Sequence, residues 1–175
     1  MNGRGYLLDT CMLGYLAEVR RGAASPEGKA VEERIRKIPK ALLFICPMIV
    51  GEMEYGLQVA PDPDRDKQEK ARKITSEFEC LPIDEDIAKD HYGRLRAAIF
   101  ERVAPRGKRD KKLVPKRVDE LVDPTTSKEL GIQENDLWIA SVAISHNMIL
   151  VTNDTMNVIR THAGVPLQIE NWCKP

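Results

Sequence analysis

The stretch GYLLDTC, residues 5–11, decides how this chain is expected to fold. Its hydrophobic residues Tyr6 to Leu8 predict a short strand, and Asp9 follows that strand directly. A second stretch, MILVTND at residues 148–154, repeats the arrangement, because its apolar run ends shortly before Asp154. Two strand ends that each present a carboxylate predict a shared site at one edge of a sheet.

The composition is that of an ordinary globular protein. The chain has 175 residues, of which 42% are hydrophobic and 31% charged, so we expect one domain over residues 1–175 with a core of its own. The formal net charge is zero, and binding to nucleic acid would therefore need a local basic patch. No apolar run approaches the ~20 residues of a membrane helix, and the four cysteines show no zinc-ligand spacing. We expect a cytoplasmic protein with reduced thiols that does not bind a membrane.

Predicted strands alternate with predicted helices along the chain. Short apolar runs predict strands at residues 5–8, 41–46, 80–83, 148–151 and 167–169. Helical periodicity and capping residues predict helices at residues 10–21, 26–38, 47–59, 65–78 and 135–146, one more after Asp84 and a short one after Asp154. This alternation predicts an α/β fold, with a short parallel sheet of about four to five strands and helices on both faces.

Four acidic residues are expected at the edge of the sheet where ligands bind. Open parallel sheets bind ligands at the carboxyl ends of their strands, where Asp9 and Asp154 follow the first and fourth predicted strands. Glu52 lies about one and a half turns into the helix after the second strand, and Asp136 lies in the first turn of a later helix. All four side chains can reach the same edge.

Such a set of acids points to a divalent cation. Carboxylates that converge in one cleft repel each other and raise each other's pKa, unless a cation neutralises them. Hard oxygen ligands without histidine or cysteine favour Mg²⁺ or Mn²⁺. These cations activate water for the hydrolysis of phosphodiester bonds. The sequence therefore predicts a metal-dependent phosphodiesterase site.

Each acid also has a simpler explanation. Asp9, Asp136 and Asp154 all stand where a carboxylate could cap or favour the N-terminus of a helix. Glu52 follows Met48, Ile49 and Val50 in an apolar stretch, where a solvated carboxylate is less expected. A single acid is weak evidence for a site, and the prediction depends on all four together.

The segment at about residues 103–128 stands apart as a basic insertion in the α/β frame. It contains PRGKRDKKLVPKR, residues 105–117, with seven basic residues against one aspartate. These residues could bind RNA phosphates beside the acidic cleft, or they could form a solvated exposed loop. No aromatic residue is interleaved, so stacking on bases is not indicated there. The basic residues are Arg106, Lys108, Arg109, Lys111, Lys112, Lys116 and Arg117.

Five stretches together resemble the PIN domain family, in particular the VapC-type toxin ribonucleases of toxin–antitoxin pairs. They are LLDTC, VGEMEYG, NDLWIAS, ILVTNDTMN and IENW, in that order from residue 5 to residue 172. The resemblance implies a PIN-like domain with the activity of a Mg²⁺- or Mn²⁺-dependent endoribonuclease. Matched position by position, the acidic quartet of the family falls on Asp9, Glu52, Asp136 and Asp154.

The resemblance also implies supporting residues and partners. Thr10, Asn135, Thr152 and Asn153 match polar positions that support the carboxylates, although hydrogen bonds within a local turn or cap would explain them equally well. The family implies an RNA substrate, a homodimer and a cognate antitoxin protein. The basic insertion departs from the family pattern. A non-catalytic PIN-like module that binds RNA or acts as a scaffold is the alternative function.

Overall fold

The computed structural model describes residues 4–22, 25–105 and 117–174. The chain divides into two compact units. The first comprises Met1–Ile83, His146–Thr155 and Gln168–Pro175, and the second comprises Asp84–Ser145 and Met156–Leu167. The single domain that the sequence predicts over residues 1–175 stays a prediction.

The first unit contains a parallel sheet of five strands in the order β3-β2-β1-β4-β5. In the register, Leu7 of β1 pairs with Phe44 of β2 on one side and with Leu150 of β4 on the other. Leu7, Leu8, Leu150 and Val151 are buried, because the two central strands carry apolar side chains. The predicted parallel sheet is therefore confirmed. Its strands are β1 (Tyr6–Leu8), β2 (Leu43–Ile45), β3 (Glu79–Cys80), β4 (Ile149–Val151) and β5 (Gln168–Glu170).

Four α-helices of the described residues belong to the first unit, and three of them begin at a residue whose side chain caps the helix. Ser25 accepts a hydrogen bond from the Gly28 N–H, and Pro26 takes the first helical position after it. Asp64 accepts a hydrogen bond from the Lys67 N–H in the same way. The helices are α1 (Thr10–Arg20), α2 (Pro26–Lys37), α3 (Pro47–Gln58) and α4 (Arg65–Thr75).

Helix α1 lies at the centre of this group. It packs against α2, α3 and α4 and buries Met12, Leu13 and Leu16 completely. The helix predicted over residues 65–78 ends earlier than expected, at Thr75. Phe78 lies just before β3, belongs to no helix and is buried. Its apolar side chain fits the helical spacing of the preceding residues, which made the predicted helix too long.

The second unit is helical. Asp84 accepts a hydrogen bond of 2.8 Å from the Ile87 N–H, as the predicted cap requires. A π-helical segment (Ile87–Tyr92) leads into α5 (Gly93–Val103), followed by α6 (Glu134–Ser145) and α7 (Asn157–Ala163). α6 packs on the π-helical segment, and α5 packs on α7. The helix predicted after Asp154 begins at Asn157, because Met156 has a left-handed backbone with φ of 45°.

Both ends of the predicted insertion are folded. Val103 is the last residue of α5, and residues 117–128 include a 3₁₀ turn (Val118–Glu120) that buries Val118. A turn follows in which the Asp123 carboxylate accepts hydrogen bonds from the Thr125 and Thr126 N–H groups, at 2.9 and 2.7 Å. The described residues 117–128 thus form turns with internal hydrogen bonds, and an insertion at about residues 103–128 stays a prediction. Among the described residues, no helix is both long and apolar enough to span a bilayer.

Candidate active site at the ends of β1 and β4

The register of β1 and β4 brings Asp9 and Thr152 together. Leu8 pairs with Val151, so the next residue on each strand emerges at the same edge of the sheet. The Asp9 N–H continues the ladder by donating to the Val151 carbonyl at 2.9 Å. The Thr152 hydroxyl then donates to Asp9 Oδ2 at 2.6 Å. Because Thr152 is completely buried, this bond fixes the direction of the carboxylate.

The Asp9 carboxylate also caps α1. Its Oδ1 accepts a hydrogen bond from the Thr10 N–H at 2.7 Å. Its Oδ2 accepts from the Cys11 thiol at 3.3 Å as well as from Thr152. The capping interpretation of Asp9 is thus realised, but it occupies only one of the two oxygens.

Cys11 is a site residue that sequence reasoning missed. Burial, and secondarily the charge of Asp9, raises the pKa of the Cys11 thiol to about 12. The thiol is therefore protonated at neutral pH and acts as a hydrogen-bond donor to Asp9. The available signal was its position two residues after Asp9, in the first turn of α1.

Glu52 is connected to Asp9 through Thr10. Glu52 lies on α3, which follows β2, and its side chain is partly buried. The Thr10 hydroxyl donates a hydrogen bond to Glu52 Oε2, while the Thr10 N–H donates to Asp9. One residue thus contacts both carboxylates. The structure thus brings Asp9, Thr10, Glu52 and Thr152 together.

Asp154 belongs to the loop that follows β4. Its N–H donates to the Thr152 hydroxyl at 3.0 Å, so the same hydroxyl that donates to Asp9 also orients this loop. The neighbouring Asn153 is exposed, and its amide lies 3.4 Å from the Tyr15 hydroxyl on α1. Among the described residues, the Asn153 side chain contacts Tyr15 and no carboxylate.

Asp136 and Asn135 belong to the second unit. They lie in the first turn of α6, where Asp136 Oδ2 accepts a hydrogen bond from the Gln133 N–H at 3.2 Å. This is the helix-terminus role that the sequence left open for Asp136. Asp9, Glu52 and Asp154 belong to the first unit, and the grouping of Asp136 with them stays a prediction.

A polar and aromatic cluster fixes the start of α6. The Tyr92 hydroxyl donates to Glu134, the first residue of α6, and the guanidinium of Arg96 lies 3.5 Å from the same carboxylate. The Tyr92 ring stacks on Trp138, with the ring centroids 3.7 Å apart and the planes 3° from parallel. Burial and the Glu134 carboxylate raise the pKa of Tyr92, which keeps it a donor. The cluster therefore orients the turn that carries Asp136.

The donor set suits a hard cation. Among the described residues, no group of three or more histidine, cysteine, aspartate or glutamate side chains is arranged to hold a metal ion. Asp9 and Glu52 nevertheless offer oxygen donors only. Mg²⁺ is usually held by one or two carboxylates, with water and substrate phosphate completing its shell. A pair of carboxylates connected through one threonine fits this mode of binding.

Six of the seven predicted RNA-binding residues lie outside the described residues. They are Arg106, Lys108, Arg109, Lys111, Lys112 and Lys116. Arg117 is described and exposed, and its guanidinium forms an ion pair with Asp119. Its backbone N–H donates to Glu120 at 3.0 Å. The positive charge of Arg117 is therefore already paired within the chain.

The chain is similar in structure to several solved proteins. No protein-family model matches the sequence, and no curated protein matches it. The chain is similar to a chain of DNA-bound VapBC from Salmonella typhimurium, with a TM-score of 0.65, 19% identity and coverage of 98% of this chain and 100% of that one. It is also similar to VapBC2 from Rickettsia felis bound to a promoter DNA fragment, with a TM-score of 0.61, 23% identity and coverage of 95% and 98%.

A third similar structure is VapBC-5 from Mycobacterium tuberculosis, a member of the VapBC family of toxin–antitoxin systems. Its TM-score is 0.50 and its identity 19%, with coverage of 97% of this chain and 98% of that one. Identities of this size establish a shared fold, and the coverage extends that fold over nearly the whole chain. The chain therefore has the PIN-like α/β fold of these VapBC proteins, as the sequence resemblance predicts.

Proposed function

We propose that this protein is a metal-dependent endoribonuclease that hydrolyses RNA phosphodiester bonds, and that it is the toxin of a type II toxin–antitoxin pair in the cytoplasm. The observation that carries the proposal is the arrangement at the ends of β1 and β4. There Asp9 is fixed by Thr152, and Thr10 connects it to Glu52. The likeness in fold to VapBC proteins supports the toxin–antitoxin setting.

Asp9 and Glu52 would hold Mg²⁺ or Mn²⁺, with Asp136 and Asp154 as the further acids of the quartet. When bound, such a cation lowers the pKa of water and stabilises negative charge on phosphate oxygens. An ionised carboxylate has about four lone-pair sites. Three donors already occupy sites on Asp9, from Thr10, Thr152 and Cys11. They leave about one site, which suits a single bond from Asp9 to the cation.

The remaining partners are also proposals. The similar structures of VapBC and VapBC2 contain DNA. For this chain we propose a cognate antitoxin protein as the partner. We also propose a homodimer. The basic residues between Arg106 and Lys116 are proposed to contact RNA phosphates, and Arg117 contributes less because it is paired with Asp119.

A non-catalytic PIN-like module that binds RNA or acts as a scaffold is the second candidate. It is favoured by the bonds that Asp9 and Asp136 make near the starts of α1 and α6, since a protein without activity would make the same bonds. The two functions differ in one property. Only the nuclease loses a measurable activity when the Asp9 carboxylate is neutralised.

The test is cleavage of total cellular RNA by the purified, partner-free protein in Mg²⁺, in Mn²⁺ and in EDTA, with the cut ends mapped. Asp9→Asn is the decisive variant, because asparagine caps helices about as well as aspartate but removes the charge. Asp62→Asn, at an exposed loop position, is the matched control. We expect discrete metal-dependent cuts from the wild type and from Asp62→Asn, and none from Asp9→Asn or Asp136→Asn.

The outcomes separate the two candidates. Cuts that persist in Asp9→Asn, or in EDTA, would contradict the proposed site. RNA binding without cleavage in both the wild type and Asp9→Asn would favour the non-catalytic module. Thermal unfolding of each variant shows whether a lost activity reflects the missing charge or a loss of folded protein.

A further inference from the structure

A surface pocket of about 300 Å³ lies between the C-terminal end of α1 and helix α4. Its charged lining consists of Arg20 and Arg21 from the end of α1, Lys70 and Lys73 from α4, and Glu77 just after α4. It belongs to the first unit and lies at the opposite end of α1 from Asp9. The proposed catalytic arrangement makes no use of it.

The pocket carries an excess of positive charge. Glu77 is already occupied, because both of its oxygens contact the guanidinium of Arg20, one of them at 3.0 Å. Arg21, Lys70 and Lys73 are exposed, and within the described part of the chain none of them has an ion-pair partner. Three cations around one cavity therefore have no fixed counter-charge.

The floor of the pocket is apolar and small. Ala17, Ala71 and Ile74 form it, and each is at most 5% exposed. The volume is at the lower end of the ~300–1,000 Å³ of ligand sites, so the pocket suits a compact anionic group and not a large cofactor. Among the described residues, no aromatic side chain lines it. Stacking of a base on an aromatic ring is therefore not indicated, and contacts between these cations and phosphates would be independent of sequence.

We propose that this pocket binds a backbone phosphate of the RNA, away from the bond that is cut. The proposal rests on the proposed function. Helix α1 has 11 residues, and at ~1.5 Å per residue it separates Asp9 from Arg20 by about 16 Å. The bound phosphate therefore lies several nucleotides along the strand from the bond that is cut. An RNA strand bound at the acidic site is therefore long enough to present one of its phosphates to the pocket on the surface of the same unit.

The first experiment measures binding alone. A labelled single-stranded RNA is titrated with full-length protein in EDTA, so that no cleavage occurs, and fluorescence anisotropy is followed at several salt concentrations. The pocket variant is Lys70→Gln with Lys73→Gln. The matched control is Lys29→Gln with Lys40→Gln, which removes two exposed lysines of the same unit outside the pocket.

We expect the pocket variant to bind RNA several-fold more weakly than the wild type. Each lost phosphate contact reduces the steepness of the plot of log K against log salt by ~0.7 for single strands, and the loss of the one phosphate bound in the pocket should reduce it by about that amount. The control variant should change neither quantity. Equal losses in the two variants, or no loss in the pocket variant, would overturn the proposal. Thermal unfolding should not distinguish the variants, since all four positions are exposed.

A cleavage assay in Mg²⁺ separates this proposal from the proposed function. If the wild type cleaves and the pocket variant shows a raised KM with unchanged kcat, both stand. If the wild type cleaves and the KM is unchanged, the pocket proposal fails and the nuclease stands. If the wild type binds RNA through Lys70 and Lys73 without cleaving it, the proposed nuclease function fails and the pocket proposal stands.

Binding of an oligo-glutamate peptide is the final experiment. Loss of its binding in the pocket variant, with RNA binding unchanged, would assign the pocket to an acidic protein and contradict our proposal.

Discussion

Thr152 joins the two strand ends of the candidate site, and replacing it with valine tests that arrangement. The residue is completely buried. Its hydroxyl donates to Asp9 Oδ2 at 2.6 Å and accepts from the Asp154 N–H at 3.0 Å. Valine has nearly the same shape as threonine, so Thr152→Val removes both hydrogen bonds without opening a cavity.

The expected cost follows from the two bonds. A hydrogen bond to a charged group contributes about 1.5–3 kcal/mol, and one between neutral groups about 0.5–1.5 kcal/mol. A buried methyl in place of the hydroxyl returns on the order of 0.8 kcal/mol. We expect Thr152→Val to lower the free energy of unfolding by about 2 kcal/mol. For a chain of this size that corresponds to a decrease in Tm of about 4–8 °C.

Thr152→Ser is the matched control for this experiment. Serine keeps the hydroxyl and loses one buried methyl group, which costs about 0.5–1.5 kcal/mol. Calorimetry should therefore rank the wild type first, Thr152→Ser second and Thr152→Val last, although valine is the more apolar side chain. If the protein cleaves RNA, kcat should fall in Thr152→Val and stay close to the wild-type value in Thr152→Ser, because only valine releases Asp9 from its fixed direction.

Two results would refute this reasoning. One is a Thr152→Val protein that is as stable as the wild type and more stable than Thr152→Ser. The other comes from a double-mutant cycle with Asp9→Asn. The cost of Thr152→Val should fall in the Asp9→Asn background, where the acceptor is no longer charged, and an unchanged cost would show that the hydroxyl does not act through Asp9.

Two further predictions concern the contact of α3 with α4 and the contact of α1 with α2. Arg72 donates to both oxygens of Glu54, each at 2.8 Å, and holds the pKa of that carboxyl at about 2, below its ordinary 4.5. Thermal unfolding should be measured from pH 7 to pH 2. The free energy of unfolding of Glu54→Gln should be lower than that of the wild type above about pH 4.5 and equal to it near pH 2. A difference in stability that is independent of pH would contradict the ion pair. A Cβ on Gly28 would lie 2.6 Å from Val19 Cγ2, so Gly28→Ala should cost about 1–3 kcal/mol from overpacking, which exceeds the ~1 kcal/mol gained in helix propensity. Val19→Ala should recover most of that loss in chemical denaturation, and a Gly28→Ala protein more stable than the wild type would exclude the close approach of α1 and α2.

Local patterns in the sequence were sufficient for most of the elements. The strand at Tyr6–Leu8 and the carboxylate that follows it are adjacent in the chain, so the pattern contains the whole signal. The order of the five strands is different, because pairs such as Leu8 with Val151 join residues far apart in sequence. A single sequence gives their alternation but not which strand lies beside which.

The same distinction applies to the site. The resemblance to the PIN domain family implies that Thr10 and Thr152 support the carboxylates, because they match polar positions of that family. The contact between the Thr10 hydroxyl and Glu52, by contrast, depends on how α3 packs against α1. Asn153 was expected to support the acids, and its observed contact is with Tyr15. Asn153 lies in a loop, and the direction of its side chain is not determined by the residues next to it in the sequence.

The cap at Asp9 does not decide between a structural and a catalytic role, because the two roles use different atoms. Oδ1 receives the Thr10 N–H at the start of α1, and Oδ2 receives the Thr152 hydroxyl. A residue needed only as a cap could be asparagine without loss, since both residues cap equally well, and alanine alone would cost about 1 kcal/mol. A residue needed for its charge would lose function with either substitution. Comparing Asp9→Asn with Asp9→Ala therefore measures the cap as the difference in stability between the two variants, and measures the charge as the activity that both have lost.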